Sequence, residues 1–307
     1  MAVRRATLWT PLELPFGLPI DLTFLALVTL AAAIVNGAIG YGFSSITVPL
    51  ALLTFSSRVL NPALVLVEVT LNLYVLFVNR GSAGLAVRRV WPIVLGLVPG
   101  VVVGSLFLAS LQSDVLKVVT YTVLLPLIFV QAAGIRRPIK AERRVGVPFG
   151  TGLGVLYSVT TISGPPLALL LNNQGLARRD FRAALGIVRV AESGMTAVAY
   201  LLLGLYTPRS LGLLPVILPS VLIGVPLGAL LIRMLAAETF RRVTMSFDAW
   251  IVGFGLSRVV EQIWTGARGW AYLILAAAAA IDLVLFIRFF RRRRGPPDSE
   301  GSFDSGH

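Results

Sequence analysis

One unusual apolar element occurs twice in this chain. Residues 20–36 run into Asn36-Gly37-Ala38-Ile39-Gly40-Tyr41-Gly42-Phe43-Ser44, and a short apolar run follows at 45–55. Residues 146–158 run into Thr160-Thr161-Ile162-Ser163-Gly164-Pro165-Pro166, and a short run follows at 167–174. Gly40 and Gly164 stand 124 positions apart. At the same offset, without a gap, Glu68 falls on Glu192, Gly100 on Gly224, Gly104 on Gly228, Asp114 on Glu238 and Lys117 on Arg241. Two copies of a hydrophobic segment interrupted by Gly and Pro are the sequence mark of a transporter fold with its site at the repeat interface.

The medium follows from composition. The chain is 56% hydrophobic and 13% charged, with a mean hydropathy of +0.85, more apolar than a soluble domain of 307 residues requires. Long apolar runs at 60–79, 91–112, 115–133, 210–232 and 269–287 reach or approach the length that spans hydrocarbon. A polytopic membrane protein is expected, with no removed signal peptide. There is no cysteine, and the one histidine is His307. Disulfides, thiolate metal sites, Cys nucleophiles and Ser/His hydrolysis therefore lack their parts. No enzyme activity, cofactor or metal site is expected, and the absence of a G-x-x-x-x-G-K-[ST] loop argues against an ATP-driven pump.

The net charge of +13 reads as membrane orientation, not as nucleic-acid binding. Arg80, Arg88 and Arg89 follow one span, and Arg136, Arg137, Lys140, Arg143 and Arg144 fill the central loop. Arg178, Arg179 and Arg182 follow the second interrupted segment. Arg233, Arg241 and Arg242 sit in the next alternate connection, and Arg288 with Arg291 to Arg294 closes the chain's last span. These connections should be cytoplasmic. The second interrupted segment lies between two of them, and each of its arms is shorter than a span, so it should enter and leave on one side as a re-entrant hairpin.

The expected fold is an all-α polytopic membrane protein of two inverted repeats. Each repeat is a re-entrant, broken helical hairpin plus three transmembrane helices, and one extra C-terminal transmembrane helix follows. The segments are an N-terminal tail (1–19), repeat 1 (20–134), a cytoplasmic basic loop (135–145), repeat 2 (146–262), the extra helix (268–290) and a disordered basic and polar tail (291–307). A multi-pass location in the plasma membrane, the inner membrane of a Gram-negative cell, is expected, with the C-terminus cytoplasmic.

The hairpin tips are the expected binding site for a small anion. Gly40 and Gly42 permit tight turns, Ser44 or Ser45 is placed to cap the following helix, and Pro165 and Pro166 stand where a helix would begin. Helices that begin deep in the membrane present unpaired N–H groups and a positive dipole end. Asn36, Ser44, Ser45, Thr47, Thr160, Thr161 and Ser163 add donors beside Gly164. The plain alternative is that these glycines only let helices pack closely.

The same residues carry a resemblance. Gly37-x-x-Gly40-x-Gly42 leading to Val48-Pro49 resembles the first signature of the sulfite exporter TauE/SafE family. Ser163-Gly164-Pro165-Pro166-Leu167-Ala168, followed by Asp180-Phe181-Arg182-Ala183, resembles its second. The similarity covers about residues 20–260. Family patterns carry more consecutive glycines where Phe43, Ser44 and Thr161-Ile162-Ser163 stand here, which implies a bulkier or differently lined pocket. The resemblance implies export, or in some members uptake, of small sulfur oxyanions and organosulfonates.

Buried ionisable residues complete the candidates. Glu68 and its repeat mate Glu192 lie inside apolar spans and are candidate proton carriers. Arg189, one turn before Glu192, either pairs with it or meets the substrate anion. Asp248 and Asp282 have no repeat mate, which reads as helix contact. The expected partners are a small anionic substrate, protons and the lipid bilayer, with no nucleic acid; the sequence does not give the oligomeric state. An importer of a sulfur oxyanion or a carboxylate, an anion channel and a non-transporting assembly subunit fit the same pattern.

Overall fold

Twelve helices, and no strand, are present among the described residues of the computed structural model, which are 20–78, 81, 83–133, 142–172, 178–232, 237–264 and 269–294. Eight helical segments are long and apolar enough to cross a membrane. The chain is thus an all-α polytopic membrane protein. The expectations for residues 1–19, 135–141 and 295–307 fall outside the described residues.

Chain order gives a broken pair, three long helices, and the same again. α1 (Ile20–Ile39) and α2 (Phe43–Ala51) form the first broken pair, followed by α3 (Ser57–Val78), α4 (Ala83–Ser110) and α5 (Ser113–Ala132). α6 (Glu142–Thr160) and α7 (Gly164–Asn172) form the second pair. α8 (Arg178–Leu202), the single turn α9 (Pro208–Leu211) with α10 (Leu214–Leu231), and α11 (Ala237–Ile263) follow. α12 (Tyr272–Arg294) is the extra helix. The breaks fall at residues 40–42 and 161–163, within the expected tips. Two boundaries need correction. Residues 142–145 belong to α6 and not to the basic loop, and α12 carries Arg291 to Arg294, placed by the sequence in a disordered tail. α1 is also 20 residues long, enough to cross alone, whereas the apolar part of α6, Val145–Thr160, is shorter.

Glycines decide which helices touch. α4 packs along α6, and α1 along α10. A Cβ on Gly224 would sit 2.6 Å from the Ala33 Cβ and 2.9 Å from the Leu30 carbonyl oxygen, and one on Gly228 would strike the Ile34 carbonyl. On the other side, a Cβ on Gly100 would strike the Thr151 carbonyl, 3.0 Å from the Gly154 Cα, and one on Gly104 would lie 2.7 Å from the Val155 oxygen and 2.5 Å from the Ser158 hydroxyl. Leu30 and Gly154 differ by the repeat offset, as do Ile34 and Ser158. The two interfaces therefore share one register. Backbones approach closely in both because the small-residue face leaves nothing between them.

The long helices pair with their own counterparts. α3 packs on α8, and α5 on α11. The match fails elsewhere: α2 packs back on α1 but α7 hardly touches α6, and α4 lies along α8, whereas the corresponding pair, α10 and α3, makes only slight contact. At the last of these the helices stand apart. A cavity of about 280 Å³ opens there, lined by Val67, Leu71, Tyr74, Val221 and Pro226 among others. α12 rests on α11 and α5, tied by the buried pair Arg242–Asp282 at 2.8 Å. Asp282 is thus the helix contact that the sequence suggested. Arg242, read as a connecting-loop charge, lies inside α11 and is buried.

Candidate functional site

Both hairpin tips lie at the centre of the bundle, in contact. Gly40 (φ 86°) and Gly42 (φ 106°) take left-handed conformations that end α1 and turn the chain into α2. Thr161 (φ 57°) makes the second turn, a strained choice for a β-branched residue. A Cβ on Gly164 would lie 3.4 Å from the Tyr41 Cβ, so the two tips meet in van der Waals contact.

The helix starts differ from each other and from expectation. Gly42, not Ser44 or Ser45, is the N-cap of α2, and no side chain caps that end. Ser45 donates instead to the Gly42 carbonyl at 3.0 Å. The first N–H groups of α2 therefore have no intrahelical acceptor, as at any helix start. α7 begins Gly164-Pro165-Pro166, and proline has no N–H. The N-terminal end of α2 is thus the richer donor of the two.

Broken backbone at this depth needs side-chain partners, and residues that the sequence did not single out supply them. Asn61 of α3 donates to the Val159 carbonyl at 2.6 Å, Tyr200 of α8 to the Ser158 carbonyl at 2.5 Å, and Tyr121 of α5 to the Pro49 carbonyl at 2.8 Å. Their only sequence signal is a polar or phenolic group within an apolar run.

Glu68 and Glu192 come together around Arg189. The Arg189 Nη2 lies 3.0 Å from the Glu68 Oε1, and its Nε 3.9 Å from the Glu192 Oε1. Ser44 donates to the Glu68 Oε1 at 2.5 Å, Tyr157 to its Oε2 at 2.7 Å, and Ser163 to the Glu192 Oε1. Asn72 fixes the backbone beneath the arginine, donating to the Arg189 carbonyl at 3.3 Å. Both carboxylates are 0% exposed and Arg189 is 4% exposed. Each hairpin tip thus sends one serine to the carboxylate of one long helix, and a single arginine bridges both. Glu68 finds its cation 121 positions away, on α8. The Glu192 Oε2 and the Arg189 Nε have no hydrogen-bond partner.

Beside this cluster lies a cavity of about 460 Å³ between α1, α3, α8 and α10. Asn36, Gly37 and Gly40 bring the first tip to its wall, and Tyr74 and Arg182 line it farther out along α3 and α8. Arg182 is exposed and is the one charged residue among the described lining residues. The other candidates are distributed around it. Ser44, Ser163 and Arg189 belong to the carboxylate cluster. Gly42, Ser45 and Pro165 bound a much smaller cavity between the tips. Thr160 and Thr161 bond to nearby carbonyls, and Thr47 is buried in α2 without a partner.

Eight helical segments long and apolar enough to cross a membrane, α1 of the first broken pair among them, and a buried ionic cluster where the two breaks meet define a polytopic membrane protein whose interrupted helices are of the kind secondary transporters use. The sulfite exporter TauE/SafE family model matches residues 25–254, so the chain belongs to that family and is a membrane transporter of the sulfite and anion exporter type. No curated protein and no solved structure matches the chain.

Proposed function

We propose that the protein is a secondary transporter in the plasma membrane that exports a small anion such as sulfite or an organosulfonate, coupled to protons. The observation that carries this is the 460 Å³ cavity, which leads from Arg182 to Asn36 and Gly40 at the first tip. The Asn36 amide and a glycine backbone open to close approach suit a small oxyanion, and the exposed Arg182 at the outer wall draws anions in. Arg189 is held by two carboxylates and is not part of that wall, which supports a positioning role. Glu68, with both oxygens bonded, supports the same role, whereas Glu192 keeps an unpartnered oxygen and stands as a candidate proton carrier.

Alternating access finds support in one place where the repeats differ. Arg58 of α3 donates to the carbonyls of Leu108, Ala109 and Leu111 at 3.1, 2.8 and 2.6 Å, tying the start of α3 to the end of α4. Its repeat counterpart is Arg182, which lines the open cavity. One end of the repeat interface is thus closed by an arginine clasp while the corresponding end stands open. Rocking one repeat against the other would exchange these states.

Inverted repeats require both flanks of the second hairpin to share a side. Single cysteines at Ala141→Cys and Gly175→Cys should label only from the cytoplasm, and Ser56→Cys only from outside, with no background from the cysteine-free parent. Labelling of 141 and 175 from opposite sides would remove the re-entrant hairpin and the inversion. For function, proteoliposomes should show saturable flux of sulfite or an organosulfonate that a proton gradient drives uphill. Non-saturable flux that never accumulates would identify a channel, and saturable uptake of carboxylates alone would identify the importer.

A further inference from the structure

We propose that Asp248 on α11 is a proton-binding site at the crossing of the two hairpin tips, and that its protonation is coupled to their movement. This rests on the transport reading above but is carried by different residues. Asp248 is 5% exposed, and its Oδ1 has no hydrogen-bond partner. It borders a small cavity of about 10 Å³ formed by Ile39, Tyr41, Gly42 and Ser45 of the first hairpin, Pro165 of the second, Ile128 of α5, and Thr244 and Met245 of its own helix. The space is of the order of one water-sized sphere. The Ser45 hydroxyl faces the carboxyl.

Among the described side chains no cation neutralises this carboxyl, unlike every other buried carboxylate described above. α2 and α7 carry no titratable residue, and α1 carries only Asp21, at its far end. α5 brings Tyr121, whose hydroxyl is given to the Pro49 carbonyl, with Asp114 and Lys117 at its opposite end. α11 itself brings Glu238, Arg241 and Arg242 near its start, of which Arg242 is bound to Asp282 of α12, and the pair Arg258–Glu261 at its other end. Tyr41 is the remaining titratable group on the cavity wall. An isolated carboxylate is costly away from water, and a proton on Oδ1 removes that cost.

The placement gives the proton mechanical consequence. The cavity wall includes both tips, so any relative movement of the hairpins opens or reshapes it. Ionised Asp248 favours an arrangement that admits water, and protonated Asp248 favours the closed contact seen here. The proton binds to and leaves the same oxygen, reached from opposite sides in the two states. Glu68 and Glu192 differ from Asp248 in having Arg189 as a counter-ion, so a proton gained there also changes an ion pair.

The test uses the intact protein in lipid bilayers. Infrared difference spectra between acid and alkaline pH should show a protonated-carboxyl C=O band that is lost in Asp248→Asn and kept in Glu192→Gln. Ser45→Ala, which retains the carboxyl, should shift the midpoint of that band and provides the decision if the asparagine variant does not fold. In sulfite-loaded proteoliposomes, Asp248→Asn should abolish pH-driven accumulation and retain sulfite exchange. A band unchanged in Asp248→Asn, or a midpoint unmoved in Ser45→Ala, overturns the proposal. Failure of the wild type to move sulfite refutes the transport assignment alone, since the infrared bands still decide the fate of Asp248.

Discussion

Replacing Arg189 with glutamine should be among the most damaging single changes in the molecule. The guanidinium stands between two carboxylates that are both fully buried. Removing one partner of a buried ionic group leaves charge without compensation and costs about 3–5 kcal/mol. The loss should appear as lower resistance to denaturant in lipid–detergent micelles. Glu68→Gln on the Arg189→Gln background should recover much of it, because the amide still accepts from Ser44 or Tyr157 and carries no charge. Non-recovery in the double variant would mean that the arginine acts by packing and not by charge.

The second large effect should come from Gly228→Leu. Gly228 faces the backbone of α1, where a Cβ would strike the Ile34 carbonyl and lie 2.9 Å from the Ala38 nitrogen. Backbone cannot rotate aside as a side chain does, so α1 must move away from α10, carrying the first tip with it. Overpacking of a tight core costs about 1–3 kcal/mol, and this site should lie at or above the top of that range. Gly194→Ala is the control: a Cβ there meets nothing within 4 Å, and alanine favours a helix by about 1 kcal/mol. Equal destabilisation by both substitutions would show that the α1–α10 contact is not specific to glycine.

Much of this architecture was legible because the membrane makes a helix's length and its interruptions visible. The apolar runs marked the spans, and Gly40, Gly42 and the Ser163-Gly164-Pro165 run marked the breaks, since few other residues permit backbone to turn there. The offset that aligned Gly100 with Gly224 and Gly104 with Gly228 also carried structural content: these glycines lie in matching helix contacts. Their role there is the close approach of helix backbones.

Side-chain partnerships were not legible. Glu68 meets Arg189 across 121 positions, and periodicity within one helix contains no trace of that. Ser44 and Ser45 seemed natural caps, but the left-handed Gly42 took the capping position and freed Ser44 to reach Glu68. Nothing in the sequence pattern marked Tyr157 and Tyr200, yet one holds a carboxylate and the other the Ser158 carbonyl. Asp248 had no repeat mate and so no pattern to mark it, although both tips converge on it. Arg182 was visible as an orienting charge and as part of the second family signature, but its place on the cavity wall depends on how α8, α1 and α10 are arranged around that space.

Binding of sulfite by purified, folded Asn36→Asp protein is the most direct measurement of the anion site. Asn36 is 5% exposed and lies on the wall of the 460 Å³ cavity at the first tip. Aspartate keeps its size and replaces a donor with a negative charge. A like charge in a partly dry site should weaken sulfite binding by about tenfold or more. Asn36→Ala, which loses only a neutral hydrogen bond worth about 0.5–1.5 kcal/mol, should weaken it less. Wild-type affinity in the folded aspartate variant would place the anion elsewhere and contradict the assignment of the first hairpin tip as its binding site.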